Sequence, residues 1–274
     1  MMLTQDGTIR VIAIGAHPDD GDYYAAGVAA RWAARGHAVK FVSLTNGDAG
    51  HHREGGGALA KRRRAEAEEA GRRLGVAEYE ILDYHDGELL PTLEARGQVI
   101  RRIRQWNADL VLTHRPNDYH ADHRYTGVLV ADAAFLVTVP NICPDTAPLR
   151  KNPVFLYFQD DFQMPVPFRP DIAVAIDEVW EKKIEALDAH VSQFYEWLPW
   201  LDGKLSEVPE DPEERKSWLA RGHRRAVTPA VRAALEKWYG AEKVSQVRHA
   251  EAFEICEYGR QPSEAELRRF FALE

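Results

Sequence analysis

Residues 9–20 join an apolar, β-branched run directly to an imidazole and two carboxylates: Ile9-Arg10-Val11-Ile12-Ala13-Ile14-Gly15-Ala16-His17-Pro18-Asp19-Asp20. The run predicts a buried strand, and open α/β sheets bind their ligands just beyond the carboxyl ends of such strands. His17 and Asp20 are three residues apart, so both can face one side of a turn and bind a metal ion. Asp19 would remain beside that ion as a carboxylate free for proton transfer.

A second polar cluster follows a second apolar run. Residues 109–113, Asp-Leu-Val-Leu-Thr, are followed by His120-Ala121-Asp122-His123. Two imidazole nitrogens and one carboxylate oxygen with an open fourth position form a recurrent catalytic zinc site, and His17, Asp20 and His123 would supply it. The sequence therefore predicts a Zn²⁺ site, although Fe²⁺ or another divalent ion is compatible with the same ligands.

His120 and Asp122 lie beside the predicted ligand His123. As i, i+2 partners they cannot face each other within a regular helix, so we expect them in the turn that precedes it. There Asp122 can accept a hydrogen bond from His120, which would orient the imidazole and favour its cationic form. Alternatively Asp122 caps the following helix, and the sequence is compatible with both roles.

The first half of the chain alternates short apolar runs with longer amphipathic ones, a pattern typical of βαβ units. Predicted strands lie near 9–15, 38–44, 78–82 and 109–113, and predicted helices near 22–35, 58–74, 92–106 and 123–136. We expect an α/β fold, a Rossmann-like parallel sheet flanked by helices, with the common strand order 3-2-1-4-5. The first and fourth strands are then neighbours, so the two polar clusters should converge in one crevice.

The later chain is expected to extend the same domain. Predicted strands lie near 154–158, 171–176 and 251–256, and a predicted helix near 178–190. Residues 202–225 are charged and punctuated by proline, which indicates an exposed or mobile excursion. We expect one domain over 1–274, with a Rossmann-like core at about 8–176 and helical and strand additions at about 177–274.

Composition excludes several classes of protein. The 274 residues include 35 basic and 43 acidic side chains, a net charge of -8, which argues against a surface for nucleic acid or anionic membrane. Two cysteines, Cys143 and Cys256, are too few for a disulfide framework. No apolar stretch approaches the roughly 18 residues needed to span a bilayer, and the first residues lack a secretory pattern. We expect a soluble, cytoplasmic protein, and a homo-oligomer is compatible with the sequence.

The remaining histidines and the first turn carry weaker signals. Gly15-Ala16-His17 replaces the glycine-rich turn of a dinucleotide-binding fold, so NAD binding is not expected. His51 and His52 lie in a glycine-rich loop and are expected to be solvated, with a further metal ligand or a place at the rim of the site as the alternatives. Two others, His37 and His114, are expected to be structural. The sequence leaves open the roles of His85, His190 and His223.

The two clusters together resemble the PIG-L, or LmbE-like, family of zinc-dependent N-deacetylases, which act on N-acetylglucosamine groups. Further motifs extend the resemblance along the chain: Thr45-Asn46-Gly47-Asp48, Arg63 with Glu66, Leu74-Gly75-Val76, Asp86-Gly87-Glu88-Leu89, Ala189-His190-Val191-Ser192-Gln193 and Ala250-Glu251-Ala252-Phe253. Together these motifs are specific to the family but not to one substrate.

The resemblance implies a role for each matching residue. His17, Asp20 and His123 match the zinc ligands, and Asp19 matches the general base. His120 matches the residue that stabilises the oxyanion or protonates the leaving amine, with Asp122 as its orienting partner.

Two further residues match sugar-binding positions, and two depart from the pattern. Arg63 and Asp86 match positions that hold sugar hydroxyls. Many members have Glu directly after the paired aspartates, where this chain has Gly21-Asp22, and some have a mobile tyrosine where this chain has His249. These departures put any role of Asp22 and His249 in doubt.

The predicted function is removal of an acetyl group from the amide nitrogen of an N-acetylglucosamine-type sugar or glycoconjugate by metal-activated water. One alternative is an amidase that cleaves a larger acyl group from a glucosamine-thiol conjugate. Another is a non-catalytic, metal-containing sugar-binding protein, against which the presence of Asp19 and His120 argues. A metal-dependent phosphohydrolase would be expected to carry a carboxylate-rich two-metal set instead.

Overall fold

The computed structural model describes residues 7–223 and 227–273. One sheet of seven strands forms its centre. The strands are β1 (Arg10–Gly15), β2 (Ala38–Thr45), β3 (Glu78–Tyr84), β4 (Leu110–Thr113), β5 (Val154–Phe158), β6 (Ile172–Ala175) and β7 (Ala250–Ile255). Their order is β3-β2-β1-β4-β5-β7-β6, which confirms the predicted order of the first five.

The sheet is mixed rather than purely parallel. Strands β1 to β5 pair in parallel, but β7 lies antiparallel between β5 and β6. The expectation of a parallel sheet is therefore confirmed for the Rossmann-like part, and β7, whose direction the sequence does not predict, runs antiparallel to its neighbours. The reason is connectivity, because β7 enters the sheet after an excursion of more than seventy residues from β6 and no βαβ crossover sets its direction.

Helices cover the sheet and connect its strands. They are α1 (Asp20–Ala34), α2 (Gly56–Leu74), α3 (Leu93–Trp106), α4 (Ala121–Leu136), α5 (Trp180–Ala189), α6 (Leu198–Leu201), α7 (Pro212–Gly222), α8 (Pro229–Tyr239), α9 (Ala241–Val244) and α10 (Glu264–Phe271), with a π-helix at Ser192–Trp197. Gly36 and Gly75 both adopt positive φ just after α1 and α2 end, a conformation that glycine adopts without strain.

The core has two layers, one on each face of the sheet. Alternate residues of β1 point to opposite sides, so Val11 and Ala13 pack in one cluster while Ile12 and Ile14 pack in the other. Helices α1 and α10 cover the first face, and α3 and α4 cover the second. Burial on both faces explains why the central strands β1, after Arg10, and β4, up to Thr113, are continuous apolar runs.

The described part of the charged segment at 202–225 is mostly exposed, as expected, but it also forms a helix that packs one side chain against the protein. It contains α7, which begins where the Asp211 carboxylate accepts hydrogen bonds from the backbone N–H groups of Glu213 and Glu214. Leu219 is fully buried against Phe194 in a small apolar cluster. Asp211-Pro212 is therefore a helix start, an N-cap followed by proline at the first helical position. The end of the segment, 224–226, lies outside the described residues.

No helix within 7–223 and 227–273 is long and apolar enough to cross a membrane.

Candidate metal centre and active site

The two polar clusters meet where the strand order reverses. β1 lies beside β4, with Ile14 opposite Thr113, so the loops after both strands open at the same edge. There His17 Nδ1 lies 3.1 Å from His123 Nε2. The predicted convergence of residues about a hundred positions apart is confirmed.

The turn between β1 and α1 is tightly closed. A Cβ atom at Gly15 would lie 2.5 Å from the Cβ of Asp20, so only glycine leaves room for that side chain. Asp20 is the first residue of α1, two positions earlier than the sequence predicts. The strand, the turn and the helix together therefore determine where its carboxylate lies.

The Asp20 carboxylate uses its two oxygens differently. Oδ2 accepts hydrogen bonds from the backbone N–H groups of Ala16 and His17, at 2.7 and 2.8 Å, and lies 3.0 Å from His114 Nε2. Oδ1 lies 3.5 Å from His123 Nε2. Oδ2 is thus engaged by three groups and also lies 3.7 Å from His17 Nδ1, whereas Oδ1 faces His123.

Carboxylates also face the outer nitrogens of both histidines. His17 Nε2 lies 3.1 Å from Asp86 Oδ1 and 3.4 Å from Asp122 Oδ2. His123 Nδ1 lies 3.1 Å from Asp118 Oδ1. These oxygens favour a proton on His17 Nε2 and on His123 Nδ1. The nitrogens that face each other, His17 Nδ1 and His123 Nε2, then carry lone pairs.

Two lone pairs only 3.1 Å apart repel each other unless a cation lies between them. Two nitrogens bound to a tetrahedral zinc at 2.0–2.1 Å are roughly 3.3 Å apart, close to this separation. The donor set of two imidazoles and one carboxylate oxygen therefore fits a divalent ion. The assignment of His17, Asp20 and His123 as its ligands stays a prediction.

The electrostatics of the cluster favour positive charge. Burial by itself lowers the pKa of His17, but the carboxylates of Asp122, Asp86 and Asp20 outweigh it and raise that pKa to about 10. Burial would raise the pKa of Asp20, yet His123, His114 and His17 hold it well below its usual range. The pocket thus stabilises a proton or a metal ion between its carboxylates.

Arg63 is buried beside the predicted base. Its Nη2 donates to Asp19 Oδ1 at 3.2 Å, while Nη1 donates to the Gly47 carbonyl at 3.1 Å and to Asp86 Oδ2 at 3.4 Å. Arg63 is 3% exposed. Its contacts in the described structure are therefore to Asp19 and to the carboxylate behind His17, and its predicted contact with sugar hydroxyls stays a prediction, as does that of Asp86.

The predicted hydrogen bond from His120 to the Asp122 carboxylate is not formed. The backbone N–H of Asp122 donates to His120 Nδ1 at 3.2 Å, which makes His120, not Asp122, the N-cap of α4. The Asp122 carboxylate instead accepts from the backbone N–H groups of Gly87 and Leu89 and faces His17. The geometry of a helix start explains the difference, because side chains at its cap and second position point apart.

The surroundings of His120 disfavour its cationic form, contrary to the expectation from the sequence. Burial, together with His17 and His123, lowers its pKa. Because its Nδ1 accepts a backbone hydrogen bond, neutral His120 carries its proton on Nε2. It can therefore act as a hydrogen-bond donor without being cationic.

Sequence reasoning missed two residues of this centre. His114, expected to be structural, binds Asp20 and stacks on His123 with ring centroids 4.0 Å apart. Asp118, which faces His123, was not predicted at all. A position directly after a strand that ends at the site was the available signal for His114. Asp118 lies in a loop and had no such signal.

Several other histidines have structural partners. His51, expected to be solvated, has a buried side chain whose Nε2 lies 2.9 Å from Glu196 Oε2, so that expectation is wrong. His190 Nε2 lies 2.9 Å from Asp22 Oδ2, within the core. His249 stacks on Trp180 and does not line the large cavity that opens at His17 and His123.

The cluster formed by His17, Asp20 and His123 opens into a cavity of about 850 Å³. Buried or partly buried polar residues, including His17, Asp19 and His123, form its inner end. Aromatic side chains from the π-helix and from two loops form other walls, among them Phe194, Trp197 and Phe162. This volume is within the range of small-molecule sites.

Comparison with known proteins identifies the family. Residues 12–134 match the PIG-L family model, described as GlcNAc-PI de-N-acetylase. A diacetylchitobiose deacetylase of Thermococcus kodakarensis is 30% identical over 207 residues, which cover 70% of this chain and 74% of that protein. The chain belongs to the PIG-L family. A probable N-acetyl-α-D-glucosaminyl L-malate deacetylase of Bacillus anthracis is 29% identical over 229 residues, 77% of this chain and 92% of that protein.

A solved structure supports the same conclusion, and another relative has a different activity. The N,N'-diacetylchitobiose deacetylase of Pyrococcus horikoshii, solved with an inhibitor, superposes with a TM-score of 0.67 at 27% identity, covering 90% of this chain and 84% of that one. A 4-oxalmesaconate hydratase of Pseudomonas putida is 29% identical over 196 residues, 68% of this chain and 74% of that protein. Membership of this sequence group alone therefore does not determine the reaction.

Proposed function

We propose that this PIG-L family protein is a metal-dependent hydrolase that removes the acetyl group from the amide nitrogen of an N-acetylglucosamine-type sugar or glycoconjugate. Its deacetylase relatives support this reaction. The observation that carries the proposal is the arrangement at the inner end of the cavity. There His17 Nδ1 lies 3.1 Å from His123 Nε2, and the Asp20 carboxylate lies 3.7 Å from the first nitrogen and 3.5 Å from the second. Asp19 lines the same cavity.

His17, Asp20 and His123 would hold Zn²⁺, and Fe²⁺ suits the same donors. When bound, such an ion lowers the pKa of a water from 15.7 to about 7 and so supplies a nucleophile near neutrality. The chain's own contribution is to hold the three donors before the ion arrives. His114 does this for Asp20, and Asp118 does it for His123.

Asp19 would accept a proton from the attacking water and return it to the leaving amine. Arg63 engages Asp19 Oδ1, so the other carboxylate oxygen can turn toward the cavity. The same contact fixes the orientation of the Asp19 carboxylate.

His120 would stabilise the oxyanion that develops as the acetamide carbonyl becomes tetrahedral. Its Nε2–H is the donor, since Nδ1 already accepts the Asp122 backbone N–H. Asp122 would act on His17 rather than on His120, because its carboxylate faces that ring and fastens the loop at Gly87. This assignment replaces the paired role of His120 and Asp122 that the sequence suggests.

Release of acetate from a panel of N-acetylglucosamine conjugates tests the proposal. The metal-loaded protein should produce acetate and free amine in equal amounts, and Asp19→Asn should lower turnover by ~10²–10⁴ while the metal is retained. The panel includes a longer N-acyl series, because faster cleavage of larger acyl groups would favour the amidase. It also includes an unsaturated dicarboxylic acid, because water addition without acetate release would assign the hydratase reaction instead.

A further inference from the structure

The cavity extends beyond the space that an acetamide and one sugar ring need, and its outer part has a distinct chemistry. We propose that this outer part is a subsite for an uncharged ring of the aglycone, stacked on Trp197, and that acidic groups at its rim disfavour anionic aglycones. This proposal rests on the proposed deacetylase function. The proposal names the class of substrate that this chain accepts at the site described above.

Trp197 lies at the end of the π-helix, and its side chain lines the cavity. Trp200 stacks behind it, with ring centroids 5.3 Å apart and planes 14° from parallel. His52 in turn stacks on Trp200 at 5.2 Å and 8°. An indole supported from behind offers a flat apolar face, which suits the face of a sugar or an aryl ring.

The segment that carries Trp197 is held firmly in place. Glu196, its neighbour in the chain, makes two hydrogen bonds with Arg62 at 2.7 and 2.8 Å and a further contact with His51 at 2.9 Å. Gln193 donates to the Gly50 carbonyl at 3.0 Å. The π-helix is thereby fastened to α2 and to the loop at 47–55, and π-helical turns are frequent at functional sites.

The charges around the outer cavity are acidic. Asp161 and Asp202 line it and are exposed to solvent. Asp160 also lines it but is neutralised by Arg115, through two contacts of 2.6 Å. Lys204 approaches Asp202 only to 4.0 Å.

The guanidinium of Arg63, which lines the cavity, does not balance these carboxylates. Among the residues that line the cavity in the described ranges, Arg63 is the single arginine or lysine, and Asp19 and Asp86 already engage it. A carboxylate or phosphate on the aglycone would therefore meet like charge there, with no available cation among the described lining residues. Exposed charges are screened by salt, so the resulting discrimination should be moderate and dependent on ionic strength.

A matched pair of substrates measures this discrimination. The 4-methylphenyl and 4-carboxyphenyl N-acetylglucosaminides have nearly the same size and differ in charge, and both anomers of each are used. At low salt, kcat/KM should favour the methyl compound by roughly two- to fivefold for each contributing carboxylate, and the ratio should shrink in 0.5 M salt, chosen for its roughly 4 Å screening length. Equal or better turnover of the carboxyphenyl compound at low salt would overturn the proposal.

Two sets of variants separate the stacking surface from the charges. Trp197→Ala should raise KM for the methylphenyl glycoside by about tenfold, and by less for free N-acetylglucosamine, which cannot reach the outer subsite. D161N/D202N should bring the methyl-to-carboxyl ratio close to one. The controls are Phe135→Ala and Glu210→Gln, both at exposed positions away from the cavity. If Trp197→Ala raised KM equally for the methylphenyl glycoside and for free N-acetylglucosamine, the stacking role would be refuted.

Binding distinguishes failure of the subsite from failure of the proposed reaction. Calorimetric titration of metal-loaded Asp19→Asn with the two glycosides requires no turnover, so a preference for the methyl compound can appear even if no acetate is ever released. No preference in binding rejects the subsite, whatever the reaction. Arg224 and Arg225 lie outside the described residues, so the ratio is also measured in R224A/R225A, where a value below one would count against the proposal.

Discussion

Single residues at this centre act mainly by holding other residues. His114 is the clearest case, because its Nε2 lies 3.0 Å from Asp20 Oδ2. Arg63 similarly engages one oxygen of Asp19. Both side chains are almost fully buried. Replacing His114 should therefore change metal affinity, because it holds the proposed ligand Asp20. Replacing Arg63 should change kcat, because it holds the proposed base Asp19.

We expect His114→Ala to weaken metal binding by about 10- to 100-fold, the usual effect of removing a partner of a metal ligand. His114→Gln, which keeps a donor, should weaken it less. Competition with a chromophoric chelator measures the dissociation constant. His37→Ala is the control, because His37 lies at the opposite end of the sheet, just before β2 begins. Unchanged affinity in His114→Ala would return that residue to a purely structural role.

Arg63→Ala should lower kcat by roughly 10- to 100-fold with the metal retained, since hydrogen bonds to charged groups contribute about 1.5–3 kcal/mol. A residue that only binds sugar hydroxyls would raise KM instead, so the separation of kcat from KM decides between the two roles. Arg72→Ala is the matched control, because Arg72 lies on the same helix with a largely exposed side chain. A rise in KM alone would restore the sugar-binding interpretation.

At the scale of elements, the sequence predicts best where one local pattern determines structure. The strands β1 to β4 and the helices α1 to α4 appear within two or three residues of their expected positions, because buried parallel strands are continuous apolar runs. The antiparallel direction of β7 could not be predicted, since it depends on long-range pairing. Helix α7 was missed although Asp211-Pro212 is a recognisable start, because charge and proline in the same segment also indicate a loop.

The site shows the same division. The residues that face the crevice, His17, Asp20 and His123, follow from two short motifs at neighbouring strand ends. Their supporting partners do not, because a contact such as that between Asp118 and His123 exists only in the folded chain. The Asp122 interaction was predicted with the wrong partner, since the first turn of α4 directs it to His17. One-domain organisation over 1–274 stays a prediction.

At the scale of the whole molecule, the metal centre connects distant parts of the chain. His17 and Asp20 come from the β1–α1 turn, whereas His123 comes from α4 on the other side of the crevice. Four carboxylates, those of Asp20, Asp86, Asp118 and Asp122, surround the two histidines. An ion bound at the proposed site would offset their repulsion, and it would bind this arrangement only when the chain is folded.

Removal of the metal should therefore lower the thermal stability of the entire protein. A ligand present at a hundred times its dissociation constant stabilises the folded state by about 2.7 kcal/mol, which corresponds to roughly 5–10 °C in Tm for a chain of this size. Scanning calorimetry before and after chelation, and again after zinc is restored, measures the change. His17→Ala provides the control, since a protein that has lost a ligand should show little response to chelator.

The size of this Tm difference should also depend on pH in a defined direction. The carboxylates raise the pKa of His17 to about 10, so a proton competes with the ion for that nitrogen throughout the neutral range. As pH falls, protonation of His17 stabilises the metal-free protein and weakens metal binding, so the difference between metal-loaded and metal-free Tm should narrow. As pH rises from 6 to 8, chosen to span neutrality, the difference should widen. A Tm difference that stays constant over that interval, or one that persists in His17→Ala, would show that the ion binds elsewhere.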